Sequence, residues 1–120
     1  MSRTQFDQEE VSTRIIQEYV PGRQVTIAHV IANPDAALCQ RVGLEDAEAV
    51  GILTVTPGEG TIIAGDLAMK AADVTIGFLD RFSGTLVVCG SLDSVEVAVE
   101  AANRGLQSVL AFFPAKVTRT

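Results

Sequence analysis

Few residues in this 120-residue chain belong to types that do chemistry. The single histidine, His29, could serve as a general base only with a nucleophile and an orienting acid folded beside it. It lies within a run of strand formers, where a structural role is the simpler expectation. Cys39 and Cys89 lie far apart, with no Cys-x-x-Cys and no paired histidine. Zinc and iron–sulfur spacings are therefore absent, and the two read as buried, reduced thiols. Glycines 51, 58, 60 and 65 invite a phosphate-loop reading. Yet Gly58-Glu59-Gly60 lacks the Lys-Ser/Thr of such a loop, no Gly-x-Gly-x-x-Gly follows, and Glu59 sets an acid where a phosphate would sit. Helix capping and close packing explain these glycines instead. The acid pairs Glu9/Glu10 and Glu45/Asp46 fall in polar connectors and read as solvated surface. No catalytic residue, metal set or cofactor site emerges. The chain reads as a non-enzyme with a binding or structural role.

Composition narrows that role. One domain is expected at 12.7 kDa, and 48% hydrophobic residues suffice for a core. Fifteen acids against nine bases give a net charge of −6. Such a surface repels nucleic acid and anionic bilayers, so neither is an expected partner. Apolar runs such as Ala49–Val55 and Val109–Ala115 are too short to span a membrane. The polar start has no signal-peptide core, so a cytoplasmic location is expected.

The elements follow from period and punctuation. Residues 1–13 are polar without a period and read as a mobile arm. Arg14–Val20 is rich in strand formers, and Pro21-Gly22 forces a turn, so residues 14–22 form an N-terminal strand and hinge. Residues 23–120 form the body. Gln24–Ala32 reads as a strand, and Asn33-Pro34 as the cap and first position of a helix that Gly43 stops. Ala49–Val55 is apolar almost throughout, hence a central strand. Thr56-Pro57-Gly58-Glu59 reads as a capping box opening a helix through Ala72, with Asp66–Lys70 as an i,i+4 pair. Val74–Leu79, a turn at Asp80–Gly84, and Thr85–Cys89 form a hairpin. Ser91 and Asp93 cap a third helix, with Gly105 as its stop. Leu106–Phe113 fits a helical turn or a strand equally, and Lys116–Thr120 reads as a tail. The expected fold is α+β: a ferredoxin-like, mostly antiparallel four-stranded sheet with helices, preceded by the N-terminal strand.

Several segments, in order, resemble one family. Ile16–Pro34 (IQEYVPGRQVTIAHVIANP), Thr56–Glu59 (TPGE), Ile63–Asp66 (IAGD), Lys70–Val74 (KAADV) and Ile76–Gly84 (IGFLDRFSG) are similar to the circularly permuted bacterial microcompartment (BMC) shell proteins of the PduU/EutS type. The resemblance runs from about Ile15 to Gly105, with a weaker match at Thr118–Thr120. It implies a permuted order, in which the strand and helix of Val25–Val42 come first instead of last. It implies flat homohexamers that tile with other shell proteins around an enzyme cargo, in a shell within the bacterial cytoplasm. A cargo enzyme or targeting peptide is a further implied partner. Arg81, Phe82, Ser83 and Gly84 match the turn that lines the central pore, with Phe82 in place of a small residue of the unpermuted loop. Arg14, Ile15, Ile16, Gln17, Glu18 and Tyr19 match the strand that builds a six-stranded β-barrel cap over that pore. At the hexamer edge Lys70 matches the family lysine, followed by Asp73, while Asn33 stands where a companion Arg is usual.

A rival reading remains from composition alone. A small, acidic, aromatic-poor ferredoxin-like domain also fits a regulator that binds a small metabolite at subunit clefts.

Overall fold

Apolar residues facing one way along each strand decide how this chain layers. The computed structural model describes residues 19–44 and 46–120. Its elements are β1 (Gln24–Ala32), α1 (Ala36–Arg41), β2 (Ala49–Thr56), α2 (Gly60–Ala71), β3 (Val74–Asp80), β4 (Thr85–Gly90), α3 (Leu92–Leu110) and β5 (Val117–Arg119). The strands form one sheet in the order β3-β4-β2-β1-β5. All neighbours are antiparallel except β5, which runs parallel to β1. The sheet therefore has five strands, not the four expected, because the C-terminal segment pairs instead of trailing. Three residues show too little period to read as a strand. β5 is fixed from outside: the His29 ring meets the Thr118 hydroxyl at 2.6 Å and the Thr120 hydroxyl at 2.9 Å. The Ala32 amide also donates to the Thr120 carbonyl at 2.9 Å.

Helices α2 and α3 cover one face. Val25, Ala28 and Val30 of β1, Leu53 and Val55 of β2, and Leu86 and Val88 of β4 pack there against Val95, Ala98, Val99, Ala102 and Leu106 of α3. Each such Val or Leu contributes about 1.5–3 kcal/mol on burial. Ser91 caps α3 as expected, accepting from the Ser94 amide at 3.2 Å. The helix does not stop at Gly105 but runs on to Leu110. The missing side chain there makes room for Leu67, whose Cδ1 lies 2.7 Å from where a Cβ would stand. The segment Leu106–Phe113 thus opens as helix, and Ala111 ends it in the left-handed region at φ 58°.

Two helix starts differ from expectation. Thr56 belongs to β2, and α2 begins at Gly60 with no side-chain cap. The amides of Gly60, Thr61 and Ile62 bond back to the carbonyls of Pro57, Gly58 and Glu59 at 3.0, 3.0 and 3.2 Å. This tight turn satisfies the donors that a capping box would have served. For α1 the cap is Asp35, whose carboxylate accepts from the Leu38 amide at 3.1 Å. Asn33 instead takes φ 54°, a conformation asparagine tolerates, and donates its amide to the Glu48 carbonyl at 2.9 Å.

The N-terminal strand and arm lie largely outside the described residues, which begin at Tyr19. There Val20–Arg23 forms a turn, with the Arg23 amide on the Val20 carbonyl at 3.0 Å. The Tyr19 ring meets Phe113 edge-on at 4.9 Å. No helix among the described residues is long and apolar enough to cross a membrane.

One buried polar group ties the tail to the core. Asn103 is 5% exposed. Its amide nitrogen donates to the Ala115 carbonyl at 2.7 Å, and its oxygen accepts from the Ala115 amide at 3.1 Å. Asn103→Ala leaves two main-chain groups without these partners and should cost about 1–3 kcal/mol. Urea unfolding measures it, and an unchanged midpoint would show that the tether carries no stability.

Candidate functional site

Strand register divides the candidate residues between the two ends of the sheet. At one end Gln24 faces Thr56, Thr54 faces Thr85, and Thr85 faces Asp80. At the other, Ala32 faces Ala49, Ala49 faces Gly90, and Gly90 faces Val74. The Arg81–Gly84 turn therefore sits at one end. Asn33, just past β1, and Asp73, just before β3, sit at the opposite end. Lys70 stands beside Asp73 in the last turn of α2.

The turn is held from within and from below. The Asp80 carboxylate accepts from the Phe82 amide at 2.9 Å. That bond, and after it the Ser83 hydroxyl, holds the Asp80 carboxyl below the usual carboxylate range. The Gly84 amide closes the turn on the Asp80 carbonyl at 2.9 Å, and the Ser83 and Thr85 hydroxyls lie within hydrogen-bond reach at 3.1 Å. Gly84 has φ 78°, a conformation that side chains resist. Its carbonyl accepts from the Val55 amide at 2.8 Å. Below the turn lies Gly58, where a Cβ would overlap the Arg81 carbonyl oxygen. So Gly58 serves close packing of two backbones, the reading expected for it, while the capping role assigned to Glu59 is absent. Arg81 lies with its guanidinium carbon 5.2 Å from the Phe82 ring centroid. Phe82 itself points outward, 86% exposed.

At the opposite end, the Lys70 ammonium meets the Asp66 carboxylate at 2.9 Å, the i,i+4 pair read from the sequence. Both side chains are mostly solvated, so the pair contributes at most about 1 kcal/mol. Asp73 and Asn33 are exposed. Of the strand matched to the pore cap, Arg14, Ile15, Ile16, Gln17 and Glu18 lie outside the described residues. Tyr19 lies against Phe113, and the side-chain amide of Gln107 donates to its hydroxyl at 3.4 Å.

The groups with chemical potential are occupied by structure. Both His29 nitrogens engage threonine hydroxyls of the C-terminal segment. Cys39 is buried and Cys89 half-buried, both as free thiols, and burial pushes the Cys89 thiol up from its ordinary pKa.

One surface escaped the sequence reading. The buried residues of α2 are Gly60, Thr61, Ala64, Gly65 and Ala68. Its larger apolar residues Ile62, Ile63 and Met69 are 50%, 39% and 51% exposed. Small residues at 61, 64, 65 and 68 complete one helical face by themselves, and that spacing is the signal for an outward apolar stripe.

Comparison with known proteins settles the family. A model described as the BMC domain matches residues 49–117. The chain belongs to the BMC-domain family. The BMC chain is 55% identical over 107 residues to the microcompartment shell protein EutS of Escherichia coli (strain K12), covering 89% of this chain and 96% of the relative. It is 49% identical over 116 residues to the shell protein PduU of Salmonella typhimurium, covering 96% of this chain and all of the relative. Among solved structures, a flat hexamer of CutR superposes with TM-score 0.80 at 41% identity, covering 89% of this chain and 99% of that one. EutS, PduU and CutR are each bacterial microcompartment shell proteins.

The backbone contact at Gly58 makes a test of the turn. Gly58→Ala should displace the Arg81–Gly84 turn and lower stability by about 1–3 kcal/mol. Loss of protection at the Phe82 amide in hydrogen exchange should accompany it. Because the Asp80 pKa is depressed in the folded chain, its hold on that amide is full at neutral pH. Protection, corrected for intrinsic exchange, should fall as acid carries the pH down through the usual carboxylate range and below. Asp80→Ala should lack it at every pH, and equal protection in that variant would remove Asp80 from the turn's support.

Proposed function

We propose that this BMC chain is a structural shell subunit that closes into a homohexamer, with the Arg81–Gly84 turn at the sixfold axis and Lys70, Asp73 and Asn33 at the rim. The observation that carries the reading is the placement of these two residue sets at opposite ends of one sheet. A tile needs that radial order: a rigid turn at its centre and polar contacts at its edge. The outward stripe of Ile62, Ile63 and Met69 supports a ring, since a cyclic assembly joins two different surfaces of each copy. The flat hexamer of CutR gives the same order of symmetry in a relative.

The fold is read as circularly permuted. Support comes from the family match, which begins at Ala49 and leaves β1 and α1 ahead of it. Residues 14–22 are read as the strand and hinge that cap the pore as a six-stranded barrel, with residues 1–13 as an arm beyond it and residues 23–120 as the permuted domain. The chain enters β1 at Gln24, opposite Thr56, and so arrives at the same end of the sheet as the pore turn. Six strands closing on one another would leave no unpaired edge. Such a hexamer would tile with other shell proteins around an enzyme cargo in the bacterial cytoplasm, with a cargo enzyme or targeting peptide as a further partner.

Native mass spectrometry of the purified chain should show a dominant species at six times 12.7 kDa. A stable dimer or trimer would overturn the hexamer and the axial turn with it. Lys70→Ala should keep the hexamer but weaken the sheets seen by electron microscopy. One exposed contact is worth about 0–1 kcal/mol, yet six edges act together. Unchanged sheets would take Lys70 out of the rim.

A further inference from the structure

The sheet has a second face, and it is filled less completely than the first. Val30, Ala49, Leu53, Leu86 and Val88 point into the core. Their neighbours along the strands, Ile31, Val50, Ile52 and Val87, therefore point the other way. Between these side chains and α1 lies a cavity of about 270 Å³. Leu38, Cys39, Val42 and Leu44 close its far side, and its lining exposes no polar atom. The wall is held in place by its own backbone. Asp35 caps α1 at the Leu38 amide, and the Cys39 amide bonds to the Asp35 carbonyl at 3.1 Å. Past the helix, Gly43 takes φ 76° and the Leu44 amide returns to the Cys39 carbonyl at 2.8 Å. The Leu44 side chain then lies over Gly77, with its Cδ2 2.6 Å from where a Cβ would stand. Val50 and Cys39 are buried, while Leu38 and Val42 are exposed and form the mouth.

We infer that this cavity is a binding site for a small, uncharged, apolar molecule, of the size of a single hydrocarbon ring or a short aliphatic chain. Protein interiors keep few voids larger than a water molecule, because empty space forfeits dispersion contacts. Here Cys39, Val50 and Val87 are small where larger side chains would close the space. An apolar cavity of about 150 Å³ stays dry and takes a benzene ring, so this one is large enough. A charged or strongly polar ligand would give up water and find no partner in the wall. A peptide would bring backbone donors and acceptors that the wall cannot receive. Size and chemistry together thus select a hydrocarbon-like molecule. The walls belong to one chain, so the site does not depend on closure of the ring proposed above.

The test is calorimetric titration of the full-length chain with toluene and with benzoate, which share a ring and differ in charge. Toluene should bind saturably at one site per chain, and benzoate should give no saturable heat. Leu38→Trp and Val42→Phe enlarge the two exposed wall residues and leave the core untouched. Native mass spectrometry first checks that each variant keeps the wild-type assembly. Each should weaken toluene binding, and the double variant should lose it. Xenon pressed into crystals of the full chain should lodge between Leu38 and Val50. No saturable toluene binding, full affinity in the double variant, or xenon only elsewhere would overturn the site. Equal binding of benzoate would overturn its apolar character. A second copy over the cavity would show as a larger assembly in light scattering that Leu38→Asp breaks apart, and that result would overturn the small-molecule site.

Discussion

The pairing of β2 with two neighbours at once is the constraint on which the rest depends. Over its whole length β2 pairs with β1, and over Ala49–Thr54 it pairs with β4. That double register fixes which residues share an end of the sheet. It brings the β3–β4 turn beside the start of β1, and Asn33 level with Asp73 at the other end. A slip by one residue would turn the buried faces of β1 and β4 to solvent, so the core itself enforces the alignment. The turn inherits its position from this register and its rigidity from contacts at the end of β2. Val55 bonds Gly84, and Gly58 leaves room for the Arg81 carbonyl.

Small residues let the helical layer sit close and leave larger ones for other uses. In α2 the core face is built from Thr61, Ala64, Gly65 and Ala68, so Ile62 and Met69 turn outward. A monomer gains nothing from that arrangement. A subunit in a ring gains an apolar contact surface whose burial contributes at each of its junctions. The helix also carries the exposed Asp66–Lys70 pair. The family assignment and this inverted helix are independent observations that point to one kind of molecule.

His29 and Asn103 serve the frame. His29 joins β1 to the C-terminal segment through two hydroxyls, and Asn103 fixes the approach to that segment through the Ala115 backbone. Together they make the last residues part of the sheet. An edge strand that would otherwise be β1 is thereby covered over Ala28–Val30.

The sequence by itself determined the strands β1 to β4, the three helices, and the turn at Asp80–Gly84, because each carries its own local signal. Gln24–Ala32 and Val74–Leu79 are strand formers bounded by breakers, Ser91 is a side-chain cap, and Asp80–Gly84 is rich in turn formers. The resemblance carried by Ile16–Pro34 and Ile76–Gly84 also pointed to the family that the comparisons show. Only the tertiary structure decided the rest. Gly105 carries the local mark of a helix stop, yet Leu67 from another helix fills the space above it and α3 continues. Thr56 and Glu59 carry the mark of a capping box, yet pairing with Gln24 draws Thr56 into β2. Val117–Arg119 carries almost no mark, and becomes a strand because His29 and the β1 backbone receive it. In each case the deciding partner is distant in the chain. Local propensities of a few tenths to about one kcal/mol yield to burial and pairing worth more.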